Sequence, residues 1–141
     1  MNLVDTSGWV EFFFGGPNEA YFVDPITKVE GLIIPTICLY EVFKKVNQVA
    51  DEARALQAIA QMKQGRVVAL DETIALKAAL ISLKHNLHMA DSLIYATAQA
   101  FGATLWTQDE HFKGLPQVKY KEAQGTPSTV RSGRRREGRE R

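Results

Sequence analysis

Short runs of β-forming residues alternate along the chain with stretches of helical periodicity, and this alternation restricts the fold more than any other feature. Five runs have the composition of strands: NLVD, GLIIP, RVVAL, ATLWT and QVKYK. Segments between them carry apolar residues at helical spacing, as Leu39, Val42, Phe43 and Val46 do. Such alternation is typical of parallel strands joined by helical crossovers. We therefore expect an α/β fold, an open and mostly parallel sheet of about five strands with helices on both faces.

Residues that start and stop helices mark the boundaries between these elements. Pro35 and Thr36 open the helix after the second predicted strand, with Thr36 as its N-cap. Asp71 or Thr73 caps the helix after the third predicted strand, which gives Asp71 a structural role. Gly102 ends the helix before the fourth predicted strand. These boundaries predict helices after the second and third predicted strands and before the fourth.

The chain length predicts one domain followed by a tail. A sequence of 141 residues can bury one sizeable core but not two. We predict a domain over residues 1–124 and a disordered tail over residues 125–141, where the run RSGRRREGRER has no apolar side chain to bury. The net charge of the whole chain is +1, and that run alone has a net charge of +4. Residues 1–130 therefore have a net charge of −3. A solvated tail is the preferred interpretation, and an arm that binds nucleic-acid phosphates is the alternative.

Cysteine content and hydropathy predict where the protein resides. The single cysteine, Cys38, has no internal partner for a disulfide, which favours a reducing compartment. The N-terminal segment MNLVDTSGWV has an acid where exported proteins carry a basic region and a long apolar run. No stretch is long and apolar enough to span a bilayer. We therefore expect a cytoplasmic protein without a membrane segment, in which Cys38 is a small buried apolar residue.

Four acidic residues occur at strand ends or on the helices next to them. Asp5 ends the first predicted strand, Glu41 follows the second, Asp91 opens the helix before the fourth, and Asp109 follows the fourth. Taken singly, each has an ordinary role as a cap, a turn residue or a solvated acid. Sites in open α/β sheets form at the carboxyl ends of strands, so the shared position favours a joint site. Converging carboxylates repel one another unless cations neutralise them, which predicts Mg²⁺ or Mn²⁺.

Carboxylates that hold such ions suit phosphodiester hydrolysis. A polyanionic substrate requires positive side chains near the acids, and Lys44 and Lys45 are candidates, with solvated surface lysines as the alternative. The three histidines, His85, His88 and His111, lack the spacing of a zinc ligand set and are interpreted as surface or loop residues. No glycine-rich phosphate loop is present, so nucleotide hydrolysis has no support.

Four segments contain or flank the candidate acids: LVDTSGWVEFF, IIPTICLYEV, LHMADSLIYATAQAFGATLWTQDEHF and LPQVKY. The third is the most specific, because an acid opens a small-residue helix that is followed by Gly-Ala, a short strand and Thr-x-Asp. Together these segments, over about residues 1–122, make the chain similar to the PIN-domain ribonucleases. The resemblance is specifically to the VapC toxin subunits of bacterial and archaeal toxin–antitoxin pairs.

The resemblance implies a Mg²⁺- or Mn²⁺-dependent endoribonuclease that cleaves RNA. Its metal-binding acids match four residues of this sequence, Asp5, Glu41, Asp91 and Asp109. Thr107 and Ser7 match positions that support the site, where a hydroxyl can orient a carboxylate; a strand threonine and a turn serine are the alternative. The resemblance also implies a homodimer and a cognate VapB-type antitoxin that covers the cleft.

Two other interpretations are open at this point. A PIN fold can serve as an interaction protein without nuclease activity. A receiver-like phosphoacceptor domain also gathers acids around Mg²⁺ at strand ends, but it requires a lysine at the end of a late strand. Here no lysine occurs between Thr107 and Lys113, so the receiver-like interpretation ranks lower.

Overall fold

Five short strands form one parallel sheet in the computed structural model, which describes residues 1–125. The strands are β1 (Asn2–Val4), β2 (Leu32–Pro35), β3 (Arg66–Val68), β4 (Thr104–Thr107) and β5 (Val118–Tyr120). Their order across the sheet is β3-β2-β1-β4-β5. Every neighbouring pair runs parallel, so the sheet is more regular than the mostly parallel one expected. The five predicted strands are confirmed.

Six α-helices form the connections from β1 to β2, from β2 to β3 and from β3 to β4 in the described residues. They are α1 (Thr6–Phe13), α2 (Glu19–Thr27), α3 (Thr36–Val49), α4 (Glu52–Met62), α5 (Glu72–His85) and α6 (Met89–Ala100). Short 3-10 turns occupy Val29–Gly31 and Glu110–Phe112. Helix α2 is missing from the sequence-based prediction. It is short and contains Pro25, which is normally a signal that a helix has ended.

The central strands are covered on both faces. Leu3 and Val4 point to opposite faces of β1, and both are fully buried. The residues of β2 are all buried, whereas the edge strands β3 and β5 are partly exposed. Strands buried on both faces require helices on both sides of the sheet, as predicted. The strand order reverses between β1 and β4, which is where ligands of open α/β sheets bind.

The helix starts agree with the prediction at Asp71 but not at Thr36. Asp71 Oδ1 accepts a hydrogen bond of 2.9 Å from the backbone N–H of Ile74. The prediction of Thr36 as an N-cap is wrong, because Pro35 holds that position and Thr36 lies inside the first turn of α3. Pro35 also ends β2, and its extended backbone makes the change from strand to helix in one residue. Gly102 follows α6 with φ +61°, a backbone conformation suited to glycine.

The chain end and the membrane prediction can be examined within residues 1–125. In this part of the chain, no helix combines the length and the apolar character that crossing a bilayer requires. The side chain of Gln124 donates a hydrogen bond of 2.9 Å to Asn18 Oδ1, so the chain is attached to the domain at this point. The prediction of a disordered tail concerns residues that, from 126 onward, lie outside the described part. The boundary at residue 124 stays a prediction.

Candidate metal centre

Asp5 lies at the carboxyl end of β1, buried, and it is the N-cap of α1. Its Oδ1 accepts hydrogen bonds from Ser7 Oγ at 2.7 Å and from the backbone N–H of Gly8 at 3.0 Å. Its Oδ2 accepts a hydrogen bond of 2.6 Å from Thr107 Oγ1. Burial raises the pKa of Asp5 to about 7, since the three hydrogen bonds that favour the charged form do not offset the lost hydration.

The turn after β4 links Asp5 to Asp109. Thr107 Oγ1, which donates to Asp5, accepts the backbone N–H of Asp109 at 2.8 Å. The backbone N–H of Gln108 donates to Ser7 Oγ at 3.2 Å. Asp109 Oδ1 in turn accepts the N–H of His111 at 2.9 Å, which starts the 3-10 turn. The hydroxyls predicted to support the site therefore contact the acids or the backbone between them.

Asp91, Asp109 and His111 come together across this turn. His111 Nδ1 lies 2.9 Å from Asp109 Oδ1 and 3.5 Å from Asp91 Oδ2. One ligand atom from each of the three residues lies within 4.8 Å of the others. Burial, followed by repulsion from Asp109, raises the pKa of Asp91 to about 6, although His111 and His88 lower it. The arrangement offers two carboxylates and one imidazole to a cation.

Glu41 approaches the same region from α3. Its Oε1 accepts a hydrogen bond of 2.5 Å from the hydroxyl of Thr6, the residue after Asp5. Its charge also raises the pKa of Asp91. One turn earlier on α3, Cys38 is fully buried, and burial together with the nearby carboxylates raises its pKa well above the usual range. The four predicted acids thus lie at one end of the sheet; metal binding by them stays a prediction.

The two candidate lysines lie farther along α3. Both Lys44 and Lys45 are exposed. Lys44 Nζ lies 5.8 Å from the ring centroid of Tyr40, and its side chain lines a groove between α3 and α4. RNA binding by either lysine stays a prediction.

Sequence reasoning did not include His111 in the site. Its side chain is 55% exposed, which agrees with the interpretation as a surface residue, but its imidazole contacts two of the four acids. The available signal was its position two residues after Asp109, in a segment too short to carry the imidazole away from the strand end. The ring of His88 lies 5.6 Å from that of His111, so a second histidine borders the cluster.

The family model described as PIN domain matches residues 3–117. The chain belongs to the PIN domain family. The matched range includes the four acids, both supporting hydroxyls and His111. This membership excludes the receiver-like alternative.

Solved structures similar to this PIN domain include components of toxin–antitoxin systems. A toxin–antitoxin complex from Klebsiella pneumoniae shares 22% identity and a TM-score of 0.71 over 84% of this chain and 96% of that chain. FitAcB from Neisseria gonorrhoeae shares 25% identity and a TM-score of 0.66 over 85% and 96%. VapC20 from Mycobacterium tuberculosis is described as a toxin that cleaves the sarcin–ricin loop. It shares 17% sequence identity and a TM-score of 0.64, over 76% of this chain and 87% of that chain. No curated protein sequence matches the chain.

Proposed function

We propose that this PIN domain is a metal-dependent endoribonuclease, the toxin subunit of a VapBC-type toxin–antitoxin pair. The observation that carries the proposal is the convergence of Asp91, Asp109 and His111, whose ligand atoms lie within 4.8 Å of one another. Membership of the PIN domain family supports it, as does the similar fold of VapC20, a toxin described as cleaving the sarcin–ricin loop. The substrate is RNA, and the reaction is phosphodiester hydrolysis.

The donor set fits Mg²⁺ or Mn²⁺. Asp91 and Asp109 supply oxygen ligands, with Glu41 and Asp5 beside them, and both ions prefer carboxylate oxygens. The pKa values of Asp5 and Asp91, about 7 and about 6, reflect carboxylates whose burial and repulsion a divalent cation would offset. When bound, such a cation activates a water molecule and stabilises the leaving oxygen in phosphodiester hydrolysis. His111 adds a nitrogen donor, which suits Mn²⁺ better than Mg²⁺.

The hydroxyl groups around the acids fix the directions of the carboxylates. Thr107 and Ser7 each donate to a different oxygen of Asp5, which holds its carboxylate plane. Thr6 donates one hydrogen bond to Oε1 of Glu41. Hydroxyls that donate to metal-binding carboxylates orient them before a metal binds, so the side chains need to reorganise less when it does. The chain therefore contributes a prearranged set of acids.

Cleavage of RNA by the purified full-length protein tests the proposal. We expect cleavage with Mg²⁺ or Mn²⁺, loss of cleavage with a chelator, and losses of at least about 100-fold in Asp91→Asn and Asp109→Asn. Asp24→Asn is the matched control, because Asp24 forms an exposed ion pair with Lys28 on α2. Cleavage that persists in chelator, or in both site variants, would contradict the metal-dependent mechanism. Metal binding without cleavage of any RNA would favour the interaction-protein alternative.

A cognate VapB-type antitoxin is the proposed protein partner. The relatives described as toxin–antitoxin complexes support it, and so does an apolar groove of about 730 Å³ between α3 and α4. Leu39, Phe43, Leu56 and Ile59 line this groove. We expect the product of an adjacent small reading frame to copurify with the chain and to inhibit cleavage, and Leu56→Arg to weaken both effects. Copurification unaffected by Leu56→Arg would place the partner on another surface.

A homodimer is the proposed assembly, and one face of α5 supports it. Leu76, Leu80 and Leu83 are 62%, 69% and 84% exposed and recur at helical spacing. Light scattering should give twice the monomer mass, and Leu80→Lys combined with Leu83→Lys should give the monomer mass. Val49→Lys, at an exposed apolar residue of α3, is the control. A monomeric wild-type protein would contradict the proposed assembly.

A further inference from the structure

Three polar residues form a closed ring of hydrogen bonds beside the acid cluster. Gln108 Nε2 donates to Glu11 Oε1 at 3.1 Å, and Asn18 Nδ2 donates to Gln108 Oε1 at 2.9 Å. The backbone N–H of Asn18 closes the ring by donating to Glu11 Oε2 at 2.6 Å. Asn18 is 2% exposed, so its amide depends on protein partners. The ring joins α1, the start of α2 and the turn after β4.

The ring acts on the residue that separates Thr107 from Asp109. The side chain of Gln108 is held at both polar atoms by the ring, and its backbone N–H is held by Ser7 Oγ. This leaves the turn little freedom to rotate about Gln108, and Asp109 is the next residue. Hydrogen bonds are directional, so bonds to both the oxygen and the nitrogen of the Gln108 side-chain amide fix its orientation. Apolar packing is not directional and would fix the position of the side chain less closely.

Asn18 also connects the ring to the C-terminal end of the domain. Its Nδ2 donates to the backbone carbonyl of Glu122 at 3.0 Å, and its Oδ1 accepts from Gln124 Nε2 at 2.9 Å. The turn that carries Asp109 is therefore supported on one side by helix α1 and on the other by the segment after β5. None of the hydrogen bonds made by Glu11, Asn18 or the Gln108 side chain goes to the acids that would hold the metal.

We propose that the ring of Glu11, Asn18 and Gln108 positions Asp109 for metal binding, which makes these three positioning residues of the site. The inference rests on the proposed metal-dependent function. The fold does not require the ring for joining β1 to β4, because backbone pairing from Asn2 to Val4 with Thr104 to Trp106 already does so. What the ring adds is the direction of the turn beyond the strand, where a small displacement changes ligand geometry.

A reversal of one bond tests the ring without changing the net charge. Glu11→Gln sets an amide N–H₂ against the amide of Gln108, and Gln108→Glu sets a second carboxylate against Glu11, so each single variant breaks a bond. The double variant Glu11→Gln/Gln108→Glu exchanges donor and acceptor and restores all three bonds. Glu30→Gln, at an exposed acid of the 3-10 turn before β2, is the control.

Two measurements on the full-length protein without RNA read out the position of Asp109. In each single variant we expect Mn²⁺ affinity to fall about 10-fold, the lower range for groups that support metal ligands. We also expect the backbone amide of Asp109 to exchange its hydrogen about 10-fold faster, with the core strands unchanged. The double variant should return both values to within about threefold of the wild type. In RNA cleavage, kcat should fall in the single variants while KM stays constant.

Three outcomes would overturn the inference. The first is a wild-type exchange rate at Asp109 in both single variants, and the second is faster exchange with unchanged Mn²⁺ affinity. The third is a double variant that is no better than the single variants, which would assign their defects to general destabilisation. A wild-type protein that binds no Mn²⁺ would contradict the proposed function. Because hydrogen exchange needs no metal, the exchange rates would still decide whether the ring positions Asp109.

Discussion

Thr107 donates a hydrogen bond of 2.6 Å to Asp5 across 102 residues of sequence, and this bond joins the ends of two adjacent parallel strands. The hydroxyl that makes it also accepts the backbone N–H of Asp109. One side-chain oxygen thus fixes a carboxylate on β1 and the backbone of a second acid after β4. The Thr107 hydroxyl thus connects the Asp5 carboxylate directly to the backbone of Asp109.

Thr107→Val should therefore affect both stability and metal binding. The substitution keeps the shape of the side chain but leaves Asp5 Oδ2 and the N–H of Asp109 without their partner. We expect a loss of about 1–3 kcal/mol in the free energy of unfolding, measured with urea. Mn²⁺ affinity should fall about 10- to 100-fold. Thr107→Ser retains the hydroxyl and should keep most of the stability and most of the Mn²⁺ affinity. Equal losses in Thr107→Val and Thr107→Ser would contradict the role of the hydroxyl.

The pKa of Asp5 predicts how the stability of the metal-free protein varies with pH. Asp5 keeps its proton to about pH 7 when folded, whereas its ordinary pKa is 3.8. The folded state then binds more protons between these values, so the free energy of unfolding falls as pH rises from about 4 to about 7. The difference of about 3 pKa units corresponds to roughly 4 kcal/mol. Asp91, with a pKa of about 6, acts in the same direction over a narrower range.

Asp5→Asn isolates this effect. We expect the stability of the variant, measured with urea in chelator, to depend less on pH between about pH 4 and pH 8 than that of the wild type. The variant should also lose RNA cleavage, because the ligand charge is gone. Added Mn²⁺ should stabilise the wild type increasingly as pH rises, since binding displaces protons. A variant whose stability varies with pH as steeply as that of the wild type would contradict the raised pKa of Asp5.

Gly8→Ala should damage the site through packing. A Cβ at Gly8 would lie 2.6 Å from Val4 Cγ1 and 2.7 Å from the ring of Phe22, so α1 would have to move away from β1. Its N–H would then leave Asp5. We expect a loss of about 1–3 kcal/mol by thermal unfolding, together with weaker Mn²⁺ binding. Gly31→Ala, where nothing lies within 4 Å of the added Cβ, is the control and should unfold near the wild-type temperature.

His111→Gln should lower the affinity for Mn²⁺ more than the affinity for Mg²⁺. If the imidazole is a ligand, its loss should lower Mn²⁺ affinity about 10-fold and Mg²⁺ affinity much less. Pulsed EPR of bound Mn²⁺ should show nitrogen coupling in the wild type and none in the variant. His85→Gln is the control, because its ring packs against Tyr95 at 6.3 Å. Nitrogen coupling that survives in His111→Gln would exclude His111 as the ligand.

The strands and the positions of the acids were predictable because local signals mark them. Asp5 directly follows an apolar run, and Asp109 follows a run of β-forming residues, so both could be assigned to strand ends. Parallel topology then places strand ends together without knowledge of any contact. Helix α2 was not predictable by the same signals, since Pro25 indicates a helix end within the segment that forms it.

Contacts between distant side chains were beyond sequence reasoning. The sequence could place His111 near Asp109, but its approach to Asp91 on α6 depends on the path of a 3-10 turn. The bond between Glu11 and Gln108 spans 97 residues and belongs to no local pattern. Such pairs are determined by how helices dock on the sheet, and one sequence contains no periodic signal for that docking.

The position of β1 at the centre of the sheet has a consequence for synthesis. The ribosome makes β1 first, but β4, which pairs with it from Asn2 and Thr104 onward, emerges near the end of the described chain. Until then Asp109 is absent and one edge of β1 has no partner. A nascent chain therefore cannot assemble its full set of acids until Asp109 has been made, 104 residues after Asp5. Whatever chemistry the acids perform together can begin only after β4 has joined β1 and the turn that carries Asp109 has formed.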